Sequence, residues 1–550
     1  MKTGRDASFM ASRSRAHPRQ LSDADAVFLS VESLKAPSHV AGLTILDPSS
    51  SSAFSFERYM EVLGERIDLV ERFKWKLYEP ALGLDRAYWI EDPDFDVARH
   101  VHRVRLRMPG DRAALAELAG CLHAEPLDRR RPLWECWWID GLDDDRIAIL
   151  LKIHHCLMDG QSGVGLSEIL MDLTPEPDRR GRFQAAEREP PPRRPTIWEV
   201  GRRAVVNAAQ RPKAVATHSR RALLEGVGRA LGVPADGMPP RVPRVPFNGR
   251  LGPGRAFAFT SVPLGPLRDA KKHFNVTMNA VLLELVSSAL RSGLMEEDAL
   301  PALPIVGLCP VSLRRDGDER FGNRLASMSV PLATDQADAR TRLARIHESA
   351  EAAKKRLESG SFETLSALGE CLVPGALRWL TRVAHGFPSL LPLPGNLVIS
   401  NVRGLPIPLY MAGARVEEIY PLSMLQVANG MNVTAVSHDD QVDFGFVVDS
   451  NLVRDPWLYA NGIQAALREL EAIVAARSTI RASDPVSADS TPHPPPTIEE
   501  GGSSSADDTA VGMESIDGGD FETEPLSLHL IMAELAHLRA PSRRGIASVD

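Results

Sequence analysis

Apolar residues fall in short blocks along most of this chain, separated by turn-forming clusters. The clearest pair is Trp134-Glu-Cys-Trp-Trp-Ile139 and Ile147-Ala-Ile-Leu-Leu-Lys-Ile153, joined by Asp140-Gly-Leu-Asp-Asp-Asp-Arg146. Two apolar runs around an acidic, glycine-containing turn predict a β-hairpin. Strands are also expected at Ser38–Leu46, Phe73–Leu77, Tyr88–Ile90, Val101–Leu106, Ala256–Val262, Leu303–Val311 and Ser327–Leu332. Val416–Pro421, Met431–Ser437 and Val442–Val448 complete the set. Helical spacing marks Leu21–Phe28 with Ser22 as its cap, Phe54–Leu69, Ala113–Leu122, Leu264–His273, Val276–Leu290 and Ala337–Leu357, and Asp455-Pro456 opens a last helix. Helices alternating with strands predict an α/β fold.

The pattern breaks in three places. Residues 1–20 are basic without the apolar core of a signal peptide and are expected to be a disordered leader. Residues 179–246 are rich in proline and arginine and read as a linker, with Ile197–Val205 and Arg220–Leu231 as basic amphipathic helices. A solvated crossover is the preferred reading of that linker over a membrane-surface contact, because the apolar face is modest. From 476 to 524 serine, proline, glycine and acidic residues predict a disordered tail, and 525–540 a short amphipathic helix. The folded parts are then 21–178 and 247–475. Between Cys371 and Leu393 aromatic and aliphatic residues, Trp379, Phe387, Leu390 and Leu391 among them, alternate with prolines. Ordinary core is the safer reading there, with an apolar tunnel or a membrane-facing lip as the alternative.

Composition narrows the function. A formal net charge of -8, with no basic stretches interleaved with aromatics, argues against a nucleic-acid partner. Five scattered cysteines without paired spacing fit a reducing compartment. No apolar run is long enough for an ordinary transmembrane helix, so any membrane contact is peripheral.

The chemistry concentrates where the second hairpin strand ends, in His154-His-Cys-Leu-Met-Asp-Gly160. A neutral imidazole is the side chain suited to abstract a proton near neutral pH. Adjacent residues at a strand end point to opposite faces, so only one of His154 and His155 can face a given cleft. Asp159 is placed to brace the loop, against a histidine or against an arginine, and Gly160 permits the tight turn. A structural histidine pair and a metal site with Asp159 are the alternatives; metal lacks a third or fourth convergent ligand. His39, a lone histidine entering a strand, is read as structural.

HHCLMDG resembles the HHxxxDG pattern of the CoA-dependent acyltransferase superfamily. Its surroundings are similar to the bacterial wax ester synthase/diacylglycerol acyltransferase family: the opening Leu21-Ser-Asp-Ala-Asp-Ala-Val-Phe28, the Pro132-Leu-Trp134 triplet, Pro310-Val-Ser-Leu-Arg-Arg315 with Gly322-Asn-Arg324, and Ser400-Asn-Val402. The order of these features runs from about Leu21 to Val474. Two departures stand out: Ala280 follows Asn279 where the family has an aspartate, and Arg403-Gly-Leu405 replaces a proline-glycine-proline continuation.

The resemblance implies two chloramphenicol-acetyltransferase-like α/β domains with an active-site tunnel at their interface. It implies His155 as general base, with His154 and Asp159 as further catalytic positions, and Gly160 and Asn279 on the substrate side. The implied substrates are acyl-CoA and diacylglycerol or a long-chain alcohol, with no metal and no cofactor beyond acyl-CoA as co-substrate. The expected location is cytoplasmic, peripheral to the inner membrane or lipid droplets, and the oligomeric state is left open. The alternatives are a non-catalytic lipid-surface protein of the same fold, and an acyltransferase for another hydroxylated lipid.

Overall fold

A computed structural model describes residues 17–83, 85–157, 170–176, 191–230, 240–312, 325–358, 370–388, 393–483 and 547–548. The strands of the N-terminal half are β1 (Arg19–Gln20), β2 (His39–Asp47), β3 (Trp75–Tyr78), β4 (Tyr88–Glu91), β5 (Val101–Arg105), β6 (Trp134–Asp140) and β7 (Ile147–His154). Those that follow are β8 (Arg255–Pro263), β9 (Val306–Ser312), β10 (Leu325–Pro331), β11 (Leu397–Arg403), β12 (Tyr410–Met411), β13 (Ala414–Leu422), β14 (Met431–His438), β15 (Gln441–Asp449) and β16 (Ala547–Ser548). The helices are α1 (Asp23–Val31), α2 (Phe56–Ile67), α3 (Arg112–Ala124), α4 (Ile197–Ala230), α5 (Leu264–Phe274), α6 (Met278–Glu296), α7 (Ala339–Glu358), α8 (Pro374–Gly386) and α9 (Pro456–Ser483).

The strands form a seven-stranded sheet, β12-β13-β2-β7-β6-β5-β16, a six-stranded sheet, β10-β9-β11-β14-β15-β8, and a small one, β1-β4-β3. The expected hairpin is present as β6 and β7, antiparallel, with Trp134 opposite Ile153 and Ile139 opposite Ala148. On its other side β7 pairs antiparallel with β2, from Leu46 opposite Ile147 to His39 opposite His154. Both faces of this sheet are covered, which is why β7 is apolar almost throughout rather than alternating.

The two halves of the sequence do not keep to separate sheets. β13, from the C-terminal half, pairs antiparallel with β2 of the first sheet, Arg415 opposite Asp47 through Leu422 opposite Ala41. The division expected at residue 247 therefore does not divide the sheets. The physical reason is burial on two sides: Ala414, Val416 and Ile419 complete the core of the first half, while Tyr420 and Leu422 enter a separate cluster. That cluster joins Leu43, Leu150 and Ile139 to Leu251, Phe257, Phe259 and Val447, so it is the seam between the halves. The core of the second half packs α6 and α9 against β8, β14 and β15.

Three further expectations are corrected. The linker carries one helix, α4, continuous through Pro212, rather than two. Asn207 and Arg211 on α4 reach the buried Asp85, and these contacts fasten it to the first half. α9 continues to Ser483, past the expected start of the tail at 476, because Ala476, Arg477, Arg481 and Ala482 are good helix formers. The stretch read as ordinary core forms α8, which buries Pro374, Leu377 and Thr381 and leaves Trp379 65% and Phe387 60% exposed. Leu390, Leu391 and the helix expected at 525–540 lie outside the described residues.

The seam is tight at Gly445 on β15, where an added Cβ would stand 1.9 Å from the Pro421 carbonyl oxygen on β13. Gly445→Val should cost about 1–3 kcal/mol by overpacking two sheets that cannot both move aside. Gly265, whose added Cβ meets nothing within 4 Å, serves as the contrast, and Gly265→Ala should be neutral or slightly stabilising. Denaturant midpoints of the two variants check this.

Candidate active site

The end of β7 is held from both sides. The His154 backbone N–H donates to the Leu133 carbonyl at 3.0 Å, and the His155 N–H to the Ser38 carbonyl at 2.9 Å. Residues 155–157 then turn into a single 3-10 turn. Two residues back on the same face, fully buried Lys152 donates to the Leu122 and Glu125 carbonyls, at 3.0 and 2.8 Å. Its ammonium thus satisfies orphan carbonyls at the C-terminal end of α3, the end the helix dipole makes negative. His39, also buried, has its Nε2 donating to the His123 carbonyl at 2.8 Å.

His154 has little freedom to do chemistry. Its Nδ1 accepts the Cys156 backbone N–H at 3.1 Å. A ring nitrogen that accepts carries no proton, so neutral His154 holds its proton on Nε2. Nε2 faces Glu32 Oε1 at 3.4 Å, and the residue is fully buried. Glu32 is the hub of the surroundings: Oε1 also accepts the Ser38 N–H at 3.2 Å, and Oε2 takes Arg129 Nε at 2.9 Å and Nη2 at 2.5 Å. Burial pushes the Glu32 carboxyl up, but His154 and Arg129 together outweigh it and hold it at about 2. The chain of charge continues from Arg129 Nη1 to Glu79 at 3.2 Å, and from Glu79 to Arg378 on α8 at 2.5 Å. It ties the histidine end of β7 to a helix from the other half.

His155 is placed differently. Its ring stacks on Phe28 of α1, centroids 4.4 Å apart and planes 9° from parallel. Among the described residues neither ring nitrogen has a hydrogen-bond partner. Burial, and secondarily the neighbouring His154, push the imidazole down to about 3, so it is neutral at physiological pH. Cys156, fully buried beside it, has its thiol pushed well above the ordinary range by the same desolvation. The cluster therefore offers one neutral base and no thiolate nucleophile.

Asp159 and Gly160 lie outside the described residues, as do Arg314, Arg315 and Gly322–Arg324. Asn279, buried near the start of α6, has its Oδ1 3.4 Å from Asn401 Nδ2 on β11. Two of the family-like segments thus meet, in the second half, and no hydrogen bond joins Asn279 to the histidines among the described residues. Ala280 is fully buried in the core of that half, which accounts for an apolar side chain at this position. Sequence reading missed Glu32, Arg129 and the stacking role of Phe28. Phe28 stood inside a recognised motif; Glu32 and Arg129 stand next to element ends, where charged residues carry no signal of their own.

Two recesses open between the halves. The first, of about 670 Å³, is lined by Leu29, Glu32 and Arg129 of the first half and Arg250, Arg378 and Thr381 of the second. The second, of about 580 Å³, is lined by Asp111, Arg112 and Asp144 of the first half and Phe259, Glu418 and Trp457 of the second. The first adjoins residues that follow α3 and the partner of His154 at the end of β7; the second adjoins the start of α3 and the turn before β7.

Glu32→Ala strips the counter-charge from Arg129 and the carboxylate that His154 Nε2 faces, and is expected to cost about 3 kcal/mol in chemical denaturation. Glu32→Gln, which can still accept from Ser38 and Arg129, should recover part of it. Both depressed groups act in the same direction with pH. The Glu32 contribution is complete above its ordinary 4.5 and fades toward 2. The His155 contribution is complete above 6.5 and is lost as pH falls through about 3. Wild-type stability should accordingly decline from pH 6.5 downward, and His155→Ala should flatten the slope by one proton in that window.

Comparison with known proteins gives the family. Residues 21–282 match the wax ester synthase/diacylglycerol acyltransferase catalytic domain, and residues 321–471 match the WS/DGAT C-terminal domain. A Mycobacterium tuberculosis (strain CDC 1551) protein named as a diacylglycerol O-acyltransferase is 31% identical over 470 residues, covering 82% of this chain and 90% of its own. Another from the same strain and named alike is 34% identical over 460 residues, covering 82% of this chain and all of its own. Among solved structures, the wax ester synthase/diacylglycerol acyltransferase from Marinobacter aquaeolei VT8 superposes with a TM-score of 0.58 at 26% identity, over 83% of this chain and 100% of that one. The paired α/β sheets, the histidines at the end of β7 and these matches lead to one conclusion: the chain belongs to the wax ester synthase/diacylglycerol acyltransferase family.

Proposed function

We propose that this acyltransferase moves a long-chain acyl group from acyl-CoA to the hydroxyl of diacylglycerol or a long-chain alcohol, with His155 as general base. The observation that carries the proposal is the state of His155: neutral, held flat against Phe28, with ring nitrogens that no described residue occupies. A neutral imidazole accepts the proton of an acceptor hydroxyl as its oxygen attacks the thioester carbonyl. The tetrahedral oxyanion collapses, the carbon–sulfur bond breaks, and the CoA thiolate takes the proton back from the imidazolium. No acyl-enzyme is needed, and the protonated, buried Cys156 supports a direct transfer.

His154 serves as a positioning residue, since its nitrogens face Cys156 and Glu32 and it fixes the turn that carries His155. Asp159 is assigned to bracing that turn and Gly160 to its tightness, both from the motif. Asn279 is assigned to the substrate side on the same basis. No cofactor enters this reading. The acceptors are water-insoluble, so the reading includes peripheral contact with a membrane or lipid-droplet surface, for which the exposed Trp379, Leu380, Val383 and Phe387 on and just after α8 supply apolar area.

The test is CoA release from palmitoyl-CoA with hexadecanol, with diacylglycerol, and with no acceptor. Wild type should release CoA only with an acceptor, and His155→Ala should lose about 100-fold or more of that rate while remaining folded. Because the base is already neutral, the acid limb of kcat/KM should not follow an ordinary histidine near 6.5 but lie well below it. An active His155→Ala protein would remove the histidine from the mechanism.

A further inference from the structure

The recess beside Glu32 carries a charge pattern that the reaction chemistry above does not use. Lys35, Arg129, Arg250, Arg378 and Arg382 line it against a single carboxylate, Glu32. Arg129 and Arg378 are already committed to Glu32 and Glu79. Lys35, Arg250 and Arg382 have no carboxylate partner among the described residues, and Arg250 and Arg382 are exposed at its rim. Uncompensated cations around a concave site are unusual on a chain of net charge -8 and concentrate positive potential there.

The other recess has the opposite character. Asp111, Asp143, Asp144 and Glu418 line it with Arg112 and Arg146, and those two arginines are paired with Glu418, Asp144 and Glu417. The two recesses lie at opposite ends of α3, whose 13 residues correspond to about 20 Å at 1.5 Å per residue. They also lie at opposite ends of β7, and the cationic one is at the histidine end. Of the substrates in the proposed reaction, only the acyl-CoA is a polyanion: its pantetheine arm ends in a diphosphate and a ribose phosphate.

We infer that the recess between α1 and α8 is the donor's mouth, where Lys35, Arg250 and Arg382 hold the phosphates of acyl-CoA. The inference rests on the acyl-CoA reading above and assigns that substrate to one face of the seam. Arginine suits the task, since its planar fork meets phosphate oxygens two at a time and stays charged at every relevant pH. The acceptor, which carries no phosphate, gains nothing from these side chains.

The experiment uses the full chain, the double variant Arg250→Glu/Arg382→Glu, and Arg268→Glu as a charge-change control that does not line the recess. CoA binding is measured by equilibrium titration, and KM with octanoyl-CoA and with octanoyl-pantetheine, which lacks the nucleotide and its phosphates. The double variant should weaken CoA binding and raise KM for octanoyl-CoA about 10-fold or more, with KM for octanoyl-pantetheine unchanged and the control like wild type. Unchanged CoA binding, or an equal rise with both donors, would overturn the inference. So would a defect confined to binding phosphatidylglycerol vesicles, which would make the cations a lipid-headgroup site. A wild type that releases CoA with no acceptor tested would sink the acyltransferase reading, while the CoA titration would still decide this one.

Discussion

Glu32 is a buried carboxylate at the junction of three segments, and the geometry around the histidines depends on its remaining ionised there. An isolated buried acid would take up a proton. Here Arg129 and His154 hold the charge, and in return the charge fixes the exit of α1, the start of β2 and the end of β7 with respect to one another. Because the network runs on through Glu79 to Arg378, the second half of the chain is registered against the same point. His155, one residue beyond His154, inherits that placement through its backbone, its ring making no hydrogen bond among the described residues.

The contrast between the two histidines is a division of labour written in solvation. His154 accepts the Cys156 N–H at Nδ1 and turns Nε2 to Glu32 3.4 Å away, so its orientation is settled by the fold. His155 is given an apolar seat against Phe28, which keeps it uncharged. A base that is neutral because it is poorly solvated is also costly to protonate. In the proposed transfer the imidazolium would therefore be short-lived unless an anion is close, and a departing CoA thiolate would be such an anion.

Much of the scaffold was legible because it rests on local pattern. The hairpin of β6 and β7, the Ser22 cap of α1 and the Asp455-Pro456 start of α9 each follow from a few consecutive residues, and the histidine motif is itself one such run. What was not legible depends on pairing across long separations. Nothing in Ala414–Leu422 says that its partner is β2 rather than a strand of its own half; that choice follows from having two apolar faces to cover at once. The same holds for Glu32 and Arg129, ordinary charged residues until the chain brings them together. α8 misled for a different reason: its aromatic residues suggest core, yet only the face bearing Leu377 and Thr381 finds something to pack against.

The pairing of β13 with β2 has a consequence for how the molecule is made. During synthesis β2, β7 and β6 are complete long before residue 414 leaves the ribosome, and through that interval β2 presents a bare row of amide and carbonyl groups. Such an edge is a template for pairing with any extended chain nearby, including another nascent copy. The first half is thus born with an unfinished sheet and is closed only by a strand that arrives late, so its most exposed moment comes before the protein has an active site at all.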